Sequence, residues 1–363
     1  MSELQAALLA IGFGVIVAVY VYGWWQQRRY RRKFGAAFKP GYADALYQAH
    51  ADALSQESGT TSSDVAPGAE SRIAGLSGTV PSIPGLLDDS CSLLNARSDF
   101  IIELRLAEPS HAAVLDGLWQ RKFDFRKPVQ VCGLTLAEKK WERVIAESQV
   151  LYGRFRIALQ LADRSGAISE AKLADFRDLV LGVAGLIKAD TTVPDIRETY
   201  HHAVELDAFC AEVDQMVGVN LVPPGGRALA GGRVAQAAAL LGMTLEADGA
   251  FHLPDAQGHS LFSLINQDSQ PFQHLTLQTV HTPGITLLLD VPRVENPASL
   301  FDRMMEAARI LSAELQVNMV DDHRVALSDN GLALIRARIS EVEKKMHARG
   351  IEPGGRQARR LFS

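Results

Sequence analysis

Three short runs decide the fold: LFSLIN at Leu261–Asn266, TPGITLLLDVP at Thr282–Pro292 and VDDHR at Val320–Arg324. In Ile285–Val291, residues Ile285, Leu287, Leu289 and Val291 fall on one side, and Thr286, Leu288 and Asp290 on the other. Period-two alternation of this kind describes a strand with one face buried and one left half-polar. Pro283-Gly284 opens the strand with turn chemistry, and Pro292 stops it. Pro297 suits the first turn of a helix, with Asn296 as its cap. Along that helix Leu300, Phe301, Met304, Ala308, Leu311 and Leu315 recur at three- and four-residue spacing, which makes one face apolar. A helix that covers one face of the sheet leaves the other face free.

Working outward, Met216–Val222 reads as a second strand, with Val217, Val219 and Leu221 inward and Met216, Gly218 and Asn220 outward. A small-residue helix is expected over 228–241, and hairpin strands near 243–253 and 261–267. Short strands at 317–320 and 325–327 and a helix over 328–346 complete a domain at 215–346. The outward positions Met216, Gly218, Ile265, Gln267, Thr286 and Leu288 collect on its free face. After Met346 the chain is Gly-rich and basic, so 347–363 is expected to be a disordered tail.

Residues 98–214 carry a similar order. Phe100, Ile102, Leu104 and Leu106 alternate with Ile101, Glu103 and Arg105; Phe155, Ile157, Leu159 and Leu161 alternate with Arg156, Ala158 and Gln160. Both runs read as half-buried strands with a solvated, charged outer face. Ser169 is placed to cap a helix to about Ile187, and Pro194-Asp195 starts another to about Val213. Strand, helix, hairpin, strand, helix, helix thus occurs twice, as in a decayed duplication, the first copy being the degenerate one.

The N-terminus is of another kind. Leu4 to Trp25 contains no charged residue, enough for a helix of about 20 residues across a bilayer core. Tyr20, Tyr22, Trp24 and Trp25 form an aromatic belt, and Arg28, Arg29, Arg31, Arg32 and Lys33 follow. The positive-inside rule puts the N-terminus outside and everything after Gln27 in the cytoplasm. A cleaved signal peptide would need basic residues before the apolar run, and none is present. Residues 1–27 are therefore expected to be a retained anchor and 28–97 a basic juxtamembrane segment and linker. Ser55 to Leu87, rich in Ser, Gly, Thr and Pro, is expected to be disordered. A flexible linker of about 60 residues reaches on the order of 45 Å.

Composition excludes several functions. The 363 residues, 47% of them hydrophobic, allow two or three cored domains, and a net charge of -5 leaves no nucleic-acid footprint. Cys91, Cys132 and Cys210 are odd in number and widely spaced. They imply neither a metal site nor a disulfide framework, consistent with a reducing compartment. PGGRALAGGR has Gly226 and Gly231 at P-loop spacing but Gly232-Arg233 where Lys-Ser/Thr should follow, so it reads as a loop entering a helix. His252 and His259 flank a turn without a third ligand, and the adjacent His201 and His202 point to different sides. Asp321-Asp322 reads as a tight turn between short strands. Ser263 lacks the nucleophile elbow. No catalytic set, metal site or cofactor site is expected.

LFSLIN, TPGITLLLDVP and VDDHR, in this order and spacing, resemble the ZipA C-terminal domain family, over about Met216 to Met346. GWWQQRRYRRKF (23–34) resembles the segment after the membrane span in the same family. The resemblance implies an α+β fold: a transmembrane helix, then an antiparallel sheet with helices on one face. It implies a bitopic inner-membrane adaptor whose free sheet face takes the C-terminal tail of the division protein FtsZ. The implied peptide site comprises Met216, Gly218, Asp248, Ile265, Gln267, Thr286, Leu288 and Arg324. Gly218 stands where the family has a branched aliphatic residue, Gln267 and Asp248 where it has methionines, and Leu288 where it has a phenylalanine. Apolar area is thereby lost, at about 25 cal/mol per Å². Arg324 matches an arginine at the groove rim, placed to pair with an acidic residue of the tail. The rival expectation is a membrane-anchored scaffold that self-associates or binds other envelope proteins without FtsZ.

Overall fold

The computed structural model describes residues 94–363 apart from Ser269. The apolar run at Leu4–Trp25, the basic cluster at Arg28–Lys33 and the linker before Leu94 lie outside the described residues. Among those described, no helix is long and apolar enough to cross a membrane. The described chain divides into two compact units, one Gln215–Lys344 and the other joining residues up to Asp214 with Lys345–Ser363.

The first unit holds β1 (Asp99–Ser110), α1 (Asp116–Arg121), β2 (Val129–Thr135), β3 (Trp141–Arg143), β4 (Tyr152–Gln160), β5 (Ala162–Asp163), β6 (Gly166–Ala167), α2 (Glu170–Leu186), β7 (Asp190–Thr192) and α3 (Ile196–Val213). Its main sheet is antiparallel in the order β3-β2-β4-β1-β7. Both helix starts follow their sequence signals. The Ser169 side chain accepts from the Lys172 amide (3.3 Å) and Asp195 from the Glu198 amide (2.9 Å), each satisfying one orphan donor of a first turn.

Two expectations fail here. The outer face of this sheet is not a solvated, charged surface. Leu94, Ile101, Cys132, Trp141 and Ala158 form a second apolar cluster on it, and Arg156 and Gln160 are buried beside them. Arg156 is held by Glu103 (3.2 Å) and lies over the Trp141 ring at 4.0 Å, which compensates its removal from water. Nor is 347–363 a disordered tail. A short helix, α7 (Arg356–Leu361), forms there, with Ala358, Leu361 and Phe362 buried. Arg360 pairs with Asp99, the Arg360 carbonyl accepts from Gln160 (3.0 Å), and Gln357 accepts from Asn95 (3.1 Å). The apolar and hydrogen-bonding side chains among the glycines and arginines do the packing.

Among the described residues, Cys210 is a free, buried thiol.

The second unit holds β8 (Met216–Val222), β9 (Leu229–Ala230), α4 (Gly231–Leu240), β10 (Thr244–Leu245), β11 (Phe251–Pro254), β12 (Ser260–Asn266), β13 (His281–Thr282), β14 (Ile285–Asp290), α5 (Pro297–Leu315), β15 (Asn318–Val320) and α6 (Asp329–Arg349), whose end from Lys345 groups with the first unit. Its main sheet is antiparallel in the order β10-β11-β12-β14-β8-β15. The inward side chains of β8, β12 and β14 share one core with Val234 and Ala237 of α4, Phe301, Met304 and Leu311 of α5, and Ile339 of α6. All three helices thus pack on one face. Asn296 precedes α5 in a left-handed conformation and makes no side-chain cap; Pro297, which has no N–H to satisfy, starts the helix without it. The strand expected at 325–327 reduces to one bridge, Val320 to Ala326.

The central parts of the two sheets correspond. β1 and β8 each lie between an antiparallel strand from before a long helix and a short one after it. The outer strands do not correspond: β2, the earlier strand of its hairpin, lies beside β4, whereas β12, the later of its pair, lies beside β14.

Candidate functional site: the helix-free face of the second sheet

On the face away from the helices, strand register sets side chains in rows. Leu288 lies between Ser263 and Gly218, and His252 lies beyond Ser263. Thr286 lies between Ile265 and Asn220, and Val320 beyond Asn220. Met216 pairs with Asp290. The fold therefore brings together five of the residues picked out by alternation: Met216, Gly218, Ile265, Thr286 and Leu288.

Gly218 explains the shape of this floor. A Cβ at Gly218 would stand 3.3 Å from Leu288 Cδ2 and 3.6 Å from Thr286 Cγ2. The Leu288 side chain thus leans over the glycine, and is only 7% exposed although no helix of its domain covers it. Met216 and Ile265 remain half-buried and Gly218 exposed. The result is a shallow apolar patch interrupted by a notch, of the type that marks interaction sites.

The other expected residues sit at the margins. Gln267 is just past the end of β12, its amide donating to the Gly284 carbonyl (3.1 Å). Asp248 is exposed in the turn between β10 and β11, and accepts from its own Ala250 amide (3.1 Å) and pairs with His252 (3.0 Å). His252 also meets Ser260 Oγ at 2.7 Å, so its ring is engaged at both nitrogens. Arg324 is exposed in the turn after β15, with φ +60°.

Sequence reasoning put Asn220 on this face but left it out of the site. Thr286 Oγ1 donates to Asn220 Oδ1 (2.7 Å), and Asn220 Nδ2 donates to Asp322 Oδ1 (2.9 Å). His252 and Ser263 were also missed as members of the face. The alternation of LFSLIN gives Ser263, but only the strand register places His252 in its row.

Residues 215–338 match the family described as ZipA, C-terminal FtsZ-binding domain. Similar curated proteins are the cell division protein ZipA of Stutzerimonas stutzeri, 34% identical over 94 residues (24% of this chain, 33% of that protein), and that of Pseudomonas fluorescens SBW25, 34% identical over 89 residues (24% and 31%). The cell division protein ZipA of Colwellia psychrerythraea is 24% identical over 135 residues, 36% of each chain. The chain thus spans about a third of the length of the curated relatives it matches. The matched segment coincides with the domain built on a one-sided antiparallel sheet whose other face is free of helices.

Proposed function

We propose that this chain is a single-pass inner-membrane adaptor of cell division, and that its second domain holds the C-terminal tail of FtsZ on the helix-free face. The observation that carries the reading is the Leu288–Gly218 notch, flanked by Met216 and Ile265, inside the segment that matches an FtsZ-binding domain. An apolar side chain seated there would gain about 25 cal/mol per Å² buried, and central anchors of such patches dominate affinity. Binding and tethering need no chemical step, so the reading assigns no catalytic residue. The anchor is the uncharged run Leu4–Trp25, with the N-terminus periplasmic and both domains cytoplasmic because Arg28–Lys33 follows the span. A C-terminal reporter active only in the periplasm would refute that topology. The first domain is read as a degenerate copy that serves as spacer and support; the shared central strand order favours this, and the exchanged outer strands mark the divergence.

The test is titration of the full chain, in detergent micelles, with the FtsZ tail peptide of the same organism. A fragment begun after Arg97 is unsuitable, because Leu94 is buried and the Asn95 amide donates to Asp99 (2.9 Å). Leu288→Asp places a charge in the notch and should weaken binding more than about tenfold, given hot-spot costs of about 2 kcal/mol or more. Full affinity in a folded Leu288→Asp protein would move the site elsewhere and favour the scaffold reading.

A further inference from the structure

The helix-free face is apolar around Leu288 and polar toward β15, and its polar part is withdrawn from water. Thr286 and Asn220 are 4% and 5% exposed. Burying such groups is unfavourable unless they are paired, and both are. The bonds run in one direction: Thr286 on β14 to Asn220 on β8, then Asn220 to Asp322 in the turn beyond β15. That turn is short and largely self-contained. The Asp321 amide donates to the Val325 carbonyl (2.9 Å), the Arg324 amide to the Asp321 carbonyl (3.1 Å), and the Val325 amide to Asp321 Oδ1 (2.8 Å). Arg324 takes a left-handed conformation, φ +60°, which is disfavoured for a residue with a side chain and persists where the surroundings impose it. The Asn220–Asp322 hydrogen bond ties this exposed turn to the buried floor of the sheet.

We propose that Asn220 is a positioning residue of the partner site. It fixes the turn Asp321–Arg324 against the face, so that Arg324 is presented at the margin to an acidic group of the bound segment. The proposal rests on the reading of this face as the partner site. The bound segment then has two features: an apolar side chain for the Leu288–Gly218 notch, and a carboxylate for Arg324, whose guanidinium suits paired hydrogen bonding to it.

The test combines affinity with amide exchange on the full chain in micelles, using the FtsZ tail peptide as probe. Asn220→Val and Arg324→Ala should each weaken binding by at least about threefold, and the double substitution should be no weaker than Arg324→Ala alone, as for residues acting through one network. In Asn220→Val, exchange should quicken at 322–325, while the paired amides of Leu287 and Val219 stay protected. Thr286→Val keeps the shape but removes the donor to Asn220; it should show the same coupling at smaller size and stands in if Asn220→Val does not fold. Fully additive losses, or unchanged exchange in the turn, would overturn the proposal. If the unsubstituted chain binds no tail peptide, the site reading itself fails, and the exchange measurement still decides whether Asn220 holds the turn.

Discussion

Replacing Arg360 by Met should destabilise the first domain selectively. The Asp99 side chain is 0% exposed, and both its oxygens are held by the Arg360 guanidinium, one of them from Nη1 at 3.0 Å. Its other donors are neutral: the Asn95 amide (2.9 Å) and Ser98 Oγ (3.2 Å). Removing one partner of a buried pair leaves a charge uncompensated, at a cost of about 3–5 kcal/mol. Against a domain stability of about 5–15 kcal/mol, this should lower the melting temperature by roughly 10–15 °C. The four tryptophans, Trp24, Trp25, Trp119 and Trp141, all lie outside the second domain. Tryptophan fluorescence during heating therefore follows Trp119 and Trp141 in the first domain, while amide exchange at the core strand residues Val219 and Leu287 reports separately on the second. The paired change Asp99→Asn with Arg360→Met should recover most of the loss, because an amide there needs no counter-charge. A loss below about 1 kcal/mol, the worth of an exposed pair, would show that residues 356–362 are not part of the first domain's fold.

Ala158→Asp should destabilise the first domain by about 2–4 kcal/mol in urea unfolding, since Ala158 is 1% exposed within an apolar cluster. Asp163 should make the first domain acid-sensitive. Burial alone would raise its carboxyl, but hydrogen bonds from Lys127 and Ser165 and the Lys127 charge outweigh that and hold it below the usual value of 3.8. A carboxyl depressed in the folded state contributes stability that is present above the unfolded value and lost as pH falls through the folded one. Urea midpoints of Asp163→Asn between pH 6 and pH 2 should therefore fall less steeply than those of the unsubstituted protein. Cys210 should resist alkylation at pH 8 in the native protein and react after denaturation. Burial first, then the charges of Asp207 and Asp214, push its thiol up to about 12, and the thiolate is the reactive form; mass mapping of its peptide reads this directly.

The second domain was legible in the sequence because its strands carry small or polar side chains on the side away from the helices. Alternation in Ile285–Val291 and Met216–Val222 assigned the core side chains and the open face, and Pro and Gly marked the ends. Register across strands is a long-range property, so the row joining His252 to Ser263 and the bond from Asn220 to Asp322 had no local signal. The first domain was misread for a related reason. Phe155–Leu161 alternates as well, but Arg156, Ala158 and Gln160 are buried too, and alternation says nothing about what covers the second face. One piece of that first unit, α7, is contributed by residues 261 positions from Asp99, with a composition that locally matches disorder. β2 carries Cys132 and Gly133 in place of a polar alternation, and β3 has three residues, too few to show a period.

The return of residues 345–363 to the first domain sets an order of events during synthesis. The ribosome makes residues 94–214, then roughly 130 residues that fold as a separate unit, and only afterwards the segment that neutralises Asp99. At about 5–20 residues per second, the first domain waits roughly 7–29 s with that carboxylate unpaired until Arg360 is made. The second domain, proposed to hold the partner, is thus complete before its predecessor in the chain. On that proposal, a message cut short after Lys344 would yield a protein that still engages its partner on an unfinished first domain, and exposed apolar surface there would mark it for proteolysis.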